Sequence, residues 1–569
     1  MDRLPVNAHF DAVVVGSGFG GSVTAYRLAE AGLRVCLLER GKPYPPGSFP
    51  RSPAGIKTNF WDPSEGLYGL FNIWSFGGFD AIVSSGLGGG SLVYSNVEIR
   101  KDEKWFVKED VQHGGYEYWP VTRADLDPHY DQVEKMLKVQ RYPFEHAPYS
   151  TTPRTVALKT AAEQLHLEWH LPNLAVTFSN PGELPIPGEP IKGSQNNLHG
   201  RTRDTCRLCG ECNVGCNFGS KNSLDYTYLS EAQRLGVEIR ARCEVRSFEP
   251  RPGGGYIIRY VVHDPSREGR KTATHELALT ALSADHLILS AGTLGTPFLL
   301  LKNHAAFSHL SPQLGTRFSG NGDLLTLAID SRITQDGRPV PRNVDPGYGP
   351  AITAAIRVKD ALDGGQGRGH YVEDAAYPQL VNWMIEMANL TGTFSRLVHF
   401  IRRRIERMLG GPFKSDLSGE IAGLLGPCAL SSSSMPLLGM GRDVPGGQMS
   451  LRDGSLNIDW TARRSREFFS QLMSTMRDVT GVLQARFVPN PTWFLQRVIT
   501  VHPLGGCPMG RDENEGVVNS YGEVFNYPGL HIADGSVMPG PVGPNPSLTI
   551  AALADRFADR IIEAHRAKA

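Results

Sequence analysis

The chain predicts a mixed α/β fold, α+β overall, with one domain assembled from separated stretches of sequence. Three observations carry this expectation. A valine-rich run, Asp11 to Val15, leads directly into a glycine turn and a helical stretch. Further short apolar runs ending in small residues recur near residues 286–301 and 530–538, far down the chain. Polar connections rich in glycine and proline, residues 178–200 and 338–350, read as loops or crossings between subdomains.

The first unit is strand, turn, helix. Gly16-Ser17-Gly18-Phe19-Gly20-Gly21 follows the strand and opens VTAYRLAEAG, which has helical spacing. Gly16 permits a tight turn, Gly18 lets a pyrophosphate approach the backbone, and Gly21 allows close helix packing, so the helix N-terminus faces the phosphates. A second strand, Arg34 to Leu38, ends on Glu39, whose carboxylate suits the two ribose hydroxyls of an adenosine and repels a 2′-phosphate. Together they predict a Rossmann-like unit that binds ADP, a motif that does not by itself separate NAD from FAD.

Later segments extend the site. SSGLGGGSLVYSN, residues 84–96, has three consecutive glycines, Gly88, Gly89 and Gly90, where backbone passes close to something flat or anionic. HLILSAGTLGTPFLLL, residues 286–301, is an apolar strand entering a small-residue turn. LHIADGSVMPG ends a short strand on Asp534-Gly535, and a final helix is expected to begin at Pro546. His502, in VHPLGG, precedes a proline and two glycines that impose an irregular turn; a lone histidine there is ordinarily structural. Asn545, before Pro546, is a plausible N-cap.

Cys206, Cys209, Cys212 and Cys216 stand in TCRLCGECNVGCNFG with spacing C-x2-C-x2-C-x3-C. The run resembles a ferredoxin ligand set, with Asn217 where ferredoxins carry proline, and it predicts an iron–sulfur cluster. Zinc, a disulfide and reduced thiols are the alternatives. A cluster beside a flavin would pass single electrons to a quinone or redox protein, whereas its absence would leave oxygen as the acceptor.

In this order, GSGFGGSVTAYRLAEAG, GLGGGSLVYSN, CGECNVGCNFGSKNSLDYTYL, SAGTLGTP, VHPLGGCPMG and NPSLTIAALADR resemble the glucose-methanol-choline (GMC) oxidoreductases, and within them the bacterial cholesterol-oxidase-like members. The likeness is weakest between about residues 320 and 495. It implies a discontinuous FAD-binding domain of residues 1–105, 201–315 and 496–569, and a substrate-binding cap of residues 106–200 and 316–495 built on a β-sheet. It implies FAD contacts from Gly16, Gly18, Phe19, Gly20, Gly21, Glu39, Gly88, Gly89, Gly90, Ser91, Asn96, Val245, Ala291, Gly292, Asp534, Gly535, Asn545, Pro546 and Ser547. It also implies that His502 and Asn545 are catalytic, His502 taking the hydroxyl proton while hydride passes to flavin N5, and the helix after Asn545 favouring charge on the reduced flavin.

The substrate expected is a hydrophobic, sterol-like alcohol converted to a ketone or aldehyde, the alternatives being sugars or other polar alcohols, or a redox flavoprotein without turnover. Residues 84–96 contain no histidine, so the FAD is expected to be non-covalent. Glu373 and Glu386 are equal candidates for a cap carboxylate that isomerises a double bond.

Composition is compatible with this reading. The 569 residues carry 58 Lys and Arg against 58 Asp and Glu, and the sequence pI is near 7.3, a balance unlike that of nucleic-acid-binding domains. Neither a secretory signal nor a membrane span is recognisable, so a cytoplasmic enzyme is expected. FSRLVHFIRRRIERMLGG, residues 394–411, predicts an amphipathic helix packed on its own domain or lying on a membrane. The aromatic stretch 60–79 predicts either a hydrophobic entrance or core.

Overall fold

A computed structural model describes residues 6–110, 114–378, 402 and 429–567. The segment 394–411 and Glu386 lie outside these residues, apart from Arg402. The first strand, β1 (Val6–Val15), is longer than expected and carries the predicted unit: the turn, then α1 (Phe19–Glu30), then β2 (Val35–Leu38). β2 is buried along its whole length, as a parallel strand covered on both faces must be.

Seven strands form the larger sheet. Glu238–Arg240, β2, β1 and Leu279–Leu289 run parallel, and Leu530–Ile532 joins the last of these in parallel. Tyr256–Val262 and Cys243–Pro250 extend it antiparallel. Its strands therefore come from three distant stretches of chain. The C-terminal helix α2 (Ser547–Arg566) packs on α1, where Arg27 lies 2.5 Å from Asp555 and 2.6 Å from Asp559.

A second sheet of six antiparallel strands is ordered Glu168–His170, Ala355–Val358, His370–Asp374, Met435–Gly441, Leu324–Ile329 and Arg486–Pro489. The helix Arg466–Val482 buries Phe468, Leu472 and Met476 against it. Gly439 makes the contact possible: a Cβ there would stand 2.7 Å from Leu472. Beneath the sheet, Arg154 and Asp374 form a wholly buried ion pair at 2.9 Å. Losing one partner of such a pair costs about 3–5 kcal/mol.

Two expectations need adjustment. Residues 178–200 are irregular, but 338–350 are not all loop: Arg338–Pro341 pairs with Arg332–Gln335 in a hairpin. Its turn is Asp336-Gly337, both with positive φ, the two-residue geometry that matches strand twist. In the stretch 60–79, Phe76 and Phe79 are core, with Phe79 stacked 4.8 Å from Phe318. Phe60 and Ile73 are exposed. Among the described residues no helix is long and apolar enough to cross a membrane.

Candidate active site

The glycine turn is built by close approach. Gly16 has φ +101°, and a Cβ there would lie 2.2 Å from the Ser290 carbonyl oxygen. A Cβ on Gly21 would lie 2.0 Å from the Gly16 oxygen, and one on Gly20 1.5 Å from that of Ala533. Gly18 differs, since nothing stands within 4 Å of the place a Cβ would take, so this face is open. Phe19 packs edge-on to Tyr94 at 5.2 Å.

The segment 84–96 crosses this turn, with Gly89 so near that a Cβ would meet the Gly18 Cα at 2.6 Å. Ser17 ties the two together: its hydroxyl donates to Glu39 at 2.6 Å and accepts from the Gly88 N–H at 3.0 Å. Glu39 also accepts from the N–H groups of Ser17 and Gly41, at 3.0 and 2.7 Å, so it braces the turn besides facing any ribose. Gly90 has open space on its side-chain face, and Ser91 accepts from the Leu224 N–H at 3.0 Å. Asn96 is fully buried with φ +69°, and its side-chain amide finds no nitrogen or oxygen partner. Val245 is a core residue of the antiparallel extension.

Beside the glycine turn, at the same end of the sheet, Ala291 precedes Gly292, which has φ +80° and open space on its side-chain face. Asp534 accepts from the Gly292 N–H at 2.9 Å, the Thr296 hydroxyl at 2.5 Å and both donors of Ser536. Its pKa is pushed up by burial and pulled back by these donors. Gly535 accepts from the Gly505 N–H at 3.0 Å, which links this corner to the loop of His502.

His502 follows the strand Val498–Thr500, which pairs in parallel with Phe79–Ser84. Its Nδ1 lies 2.7 Å from Asp323, a residue sequence reasoning missed. Asp323 is buried and also accepts from the Thr500 hydroxyl at 2.9 Å and the N–H groups of Val501 and His502 at 2.7 and 3.0 Å. With four donors converging on it, this carboxylate acts as acceptor and places the ring proton on Nδ1. Nε2 is left with its lone pair, turned away from the carboxylate.

Asn545 is not an N-cap. α2 begins at Ser547, Pro546 takes the cap position, and no side-chain cap bond forms. The asparagine amide is turned away from the helix. Its Nδ2 donates instead toward Glu373 at 3.4 Å, while Asn545 Oδ1 and Glu373 Oε1 are buried without partners. Burial raises the Glu373 carboxyl to about 8, so it is neutral at pH 7; the charge of Asp323 acts in the same direction. Asn321 holds the approach to Asn545 by bonding Gly543 and Pro544. The turn 319–323 therefore supports both catalytic candidates, and its Gly-Asn-Gly-Asp run is the one signal the sequence offered. Ser547 donates to Glu98 at 3.3 Å, a carboxyl that burial raises to about 8.

The seven described cysteines are all free thiols. Cys206, Cys209, Cys212 and Cys216 line one small cavity, and burial raises the first three thiols. The expected cluster does not find a ready ligand set: among the described residues no three His, Cys, Asp or Glu side chains converge in a metal-binding group. Cys206 instead packs with Tyr142, Tyr149 and Phe178.

Open glycine faces at 18, 90 and 292 and the unpartnered Asn96 amide fit a flat, anionic dinucleotide lying from the turn to the start of α2. Residues 11–133 match the family of FAD dependent oxidoreductases, which fixes the class of protein. Residues 191–319 and 457–554 match the N- and C-terminal parts of GMC oxidoreductase, and the chain belongs to the GMC oxidoreductase family. It is 29% identical over 563 residues to a cholesterol oxidase of Mycobacterium tuberculosis, covering 96% of this chain and 90% of that one. A cholesterol oxidase of Acinetobacter baumannii is 25% identical, covering 98% and 95%. Pyridoxine 4-oxidase from Mesorbium loti shares the fold with a TM-score of 0.54 and 15% identity, covering 97% and 98%. This chain is an FAD-dependent alcohol oxidoreductase.

Proposed function

We propose that the enzyme oxidises the CH–OH group of a hydrophobic, sterol-like alcohol to a ketone or aldehyde, with dioxygen as electron acceptor. The observation that carries the reading is the pair of unpartnered buried atoms, Asn545 Oδ1 and Glu373 Oε1, in a region where Asp323 orients His502. A buried polar atom without a partner costs about 1–3 kcal/mol. A substrate hydroxyl, with one donor and two acceptor positions, relieves that cost where His502 can receive its proton.

FAD, when bound, supplies a hydride acceptor. Gly16, Gly18, Phe19, Gly20, Gly21, Glu39, Gly88, Gly89, Gly90, Ser91, Asn96, Val245, Ala291, Gly292, Asp534, Gly535, Asn545, Pro546 and Ser547 would hold it without a covalent bond. His502 accepts the hydroxyl proton on Nε2, and Asp323 steadies the positive charge that then forms on the ring. Asn545 fixes the hydroxyl direction. Neutral Glu373 is a candidate for moving a proton within an unsaturated ketone product. The larger sheet belongs to the flavin domain of residues 1–105, 201–315 and 496–569, and the six-stranded sheet to the cap of residues 106–200 and 316–495.

The cholesterol oxidases among the relatives support a hydrophobic alcohol and oxygen. A cluster-linked dehydrogenase passing electrons to a quinone or redox protein is the second reading, favoured by the four cysteines around one cavity. The test is anaerobic flavin bleaching with a 3-hydroxysterol, a long-chain alcohol and a sugar, followed by admission of air and a peroxide assay. Sterol bleaching with peroxide release is the expected result; bleaching by the sugar alone would reject the substrate class, and reoxidation only by a quinone would reject oxygen.

A further inference from the structure

The turn 319–323, which carries both Asn321 and Asp323, adopts a backbone shape that needs support from outside it. Asn321 has φ +53° and Gly322 φ +68°, two consecutive residues in the left-handed region, where an asparagine is uncommon and strained. The support comes from Asp443, wholly buried just beyond the end of the strand Met435–Gly441 in the six-stranded sheet. One of its carboxylate oxygens accepts from the Ser319 hydroxyl and the other from the Gly320 N–H at 3.1 Å, with the Gly322 N–H as a further donor. The Ser319 hydroxyl oxygen accepts in turn from the Asn321 N–H at 2.9 Å. From the same strand end, the Gly441 N–H donates to the Asn321 carbonyl at 2.9 Å.

The guanidinium groups nearby are engaged by other acids: Arg442 bonds Asp360 at 2.8 Å, and Arg368 bonds Glu109 at 2.6 Å. The donors that converge on the Asp443 carboxylate therefore belong to the turn. On its other side the turn meets the loop of His502. Ser319 and Leu504 exchange N–H···O bonds at 3.0 and 2.9 Å, and the Thr500 hydroxyl donates to the Gly320 carbonyl at 3.1 Å. A continuous set of contacts thus runs from the end of the sheet strand, through Asp443 and the turn, to Asp323 and the His502 ring. A branch of it runs through the Asn321 amide to Gly543 and Pro544, ahead of Asn545.

We propose that Asp443 is a positioning residue for the alcohol oxidation: it holds the turn 319–323 in the conformation that aims Asp323 at His502 Nδ1 and Asn321 at the segment before Asn545. The proposal rests on the reading of His502 as the base. Asp443 itself meets neither alcohol nor flavin in this account; its effect is delivered through Asp323. When the carboxylate is removed, Asn321 is free to leave its strained φ, Asp323 moves off the line of the ring, and Nε2 loses its fixed direction. A displacement of about 1 Å in such an arrangement is enough to cost on the order of a hundredfold in rate. The alignment of the base is in this way set from the six-stranded sheet, although His502 follows a strand that pairs with Phe79–Ser84.

The experiment measures anaerobic flavin reduction in the FAD-loaded full chain, with whichever of the sterol, long-chain alcohol and sugar bleaches the wild type fastest. Asp443→Asn should lose at least about tenfold in the limiting rate, while the alcohol concentration for half-maximal rate and the FAD content stay within about twofold of wild type. Ser319→Ala removes only the hydroxyl that links Asp443 to Asn321, and covers the case in which Asp443→Asn does not fold; it should lose at least about threefold. In series with Asp323, Asp443→Asn should slow Asp323→Asn by less than about a further threefold, a coupling that a general loss of structure would not produce. Full multiplication of the two losses would overturn the proposal, and so would normal rates in Asp443→Asn and Ser319→Ala. His502→Ala separates the two levels: if it is slow while Asp443→Asn is normal, the positioning role alone fails, and if it is normal, the base reading fails and takes this proposal with it.

Discussion

The proposed cofactor cradle and the buried cluster of Asp323, Glu373 and Asn545 handle carboxyl groups in opposite ways. In the cradle, Glu39 and Asp534 have both oxygens occupied, chiefly by N–H and hydroxyl groups of the glycine turns they brace. In the cluster, Glu373 keeps one oxygen unpartnered, and so does its neighbour Asn545. A binding site for a resident group is best made rigid in advance, whereas a site for a passing hydroxyl needs unspent hydrogen-bonding capacity. Asp323 sits between the two styles: its own oxygens are satisfied, and its effect is to leave one histidine nitrogen available.

The contrast breaks most visibly at Asp323. Asp323→Asn should lower the rate of flavin reduction by on the order of a hundredfold, with FAD content unchanged, because the ring loses its fixed tautomer. Rapid-mixing absorbance measures the rate, and loss of FAD in parallel would show that the residue holds the cradle rather than the base. Glu39→Ala should do the reverse: FAD affinity falls about tenfold, with normal turnover at saturating FAD, as expected for lost hydrogen bonds worth about 1–2 kcal/mol. Fluorescence titration of the flavin reads this directly.

The smallest effect concerns pH. Glu373 has its folded-state pKa raised from 4.5 to about 8, so the folded chain holds a proton the unfolded chain releases between those values. Stability from this group is therefore full below about pH 4.5 and declines as pH rises toward 8, by up to a few kcal/mol. Glu98, also raised to about 8, adds a second decline of the same sign. Glu373→Gln should flatten part of the fall in Tm between pH 5 and 8; an unchanged slope would mean the carboxyl is hydrated.

The cradle was the legible part of the chain. Gly16, Gly18 and Gly21 each impose a local backbone requirement, and local requirements show in spacing. The order of motifs also gave the discontinuous sheet, whose parallel strands need long crossovers. Asp323 was not legible, since its importance arises from a contact 179 positions away in sequence with His502, set by the packing of the second sheet. Asn545 was half legible: its motif was recognised, but its amide reaches toward Glu373, 172 positions away in sequence, instead of capping the helix. The cysteine spacing announced a ligand set that the fold lines up around a cavity without drawing together.

The measurement that tests the central claim most directly is the anaerobic rate of flavin reduction in His502→Ala at saturating alcohol. The account predicts a fall of at least about a hundredfold with yellow, FAD-loaded protein recovered. A rate within about twofold of wild type would contradict it, because the proton would then be leaving the hydroxyl by another route.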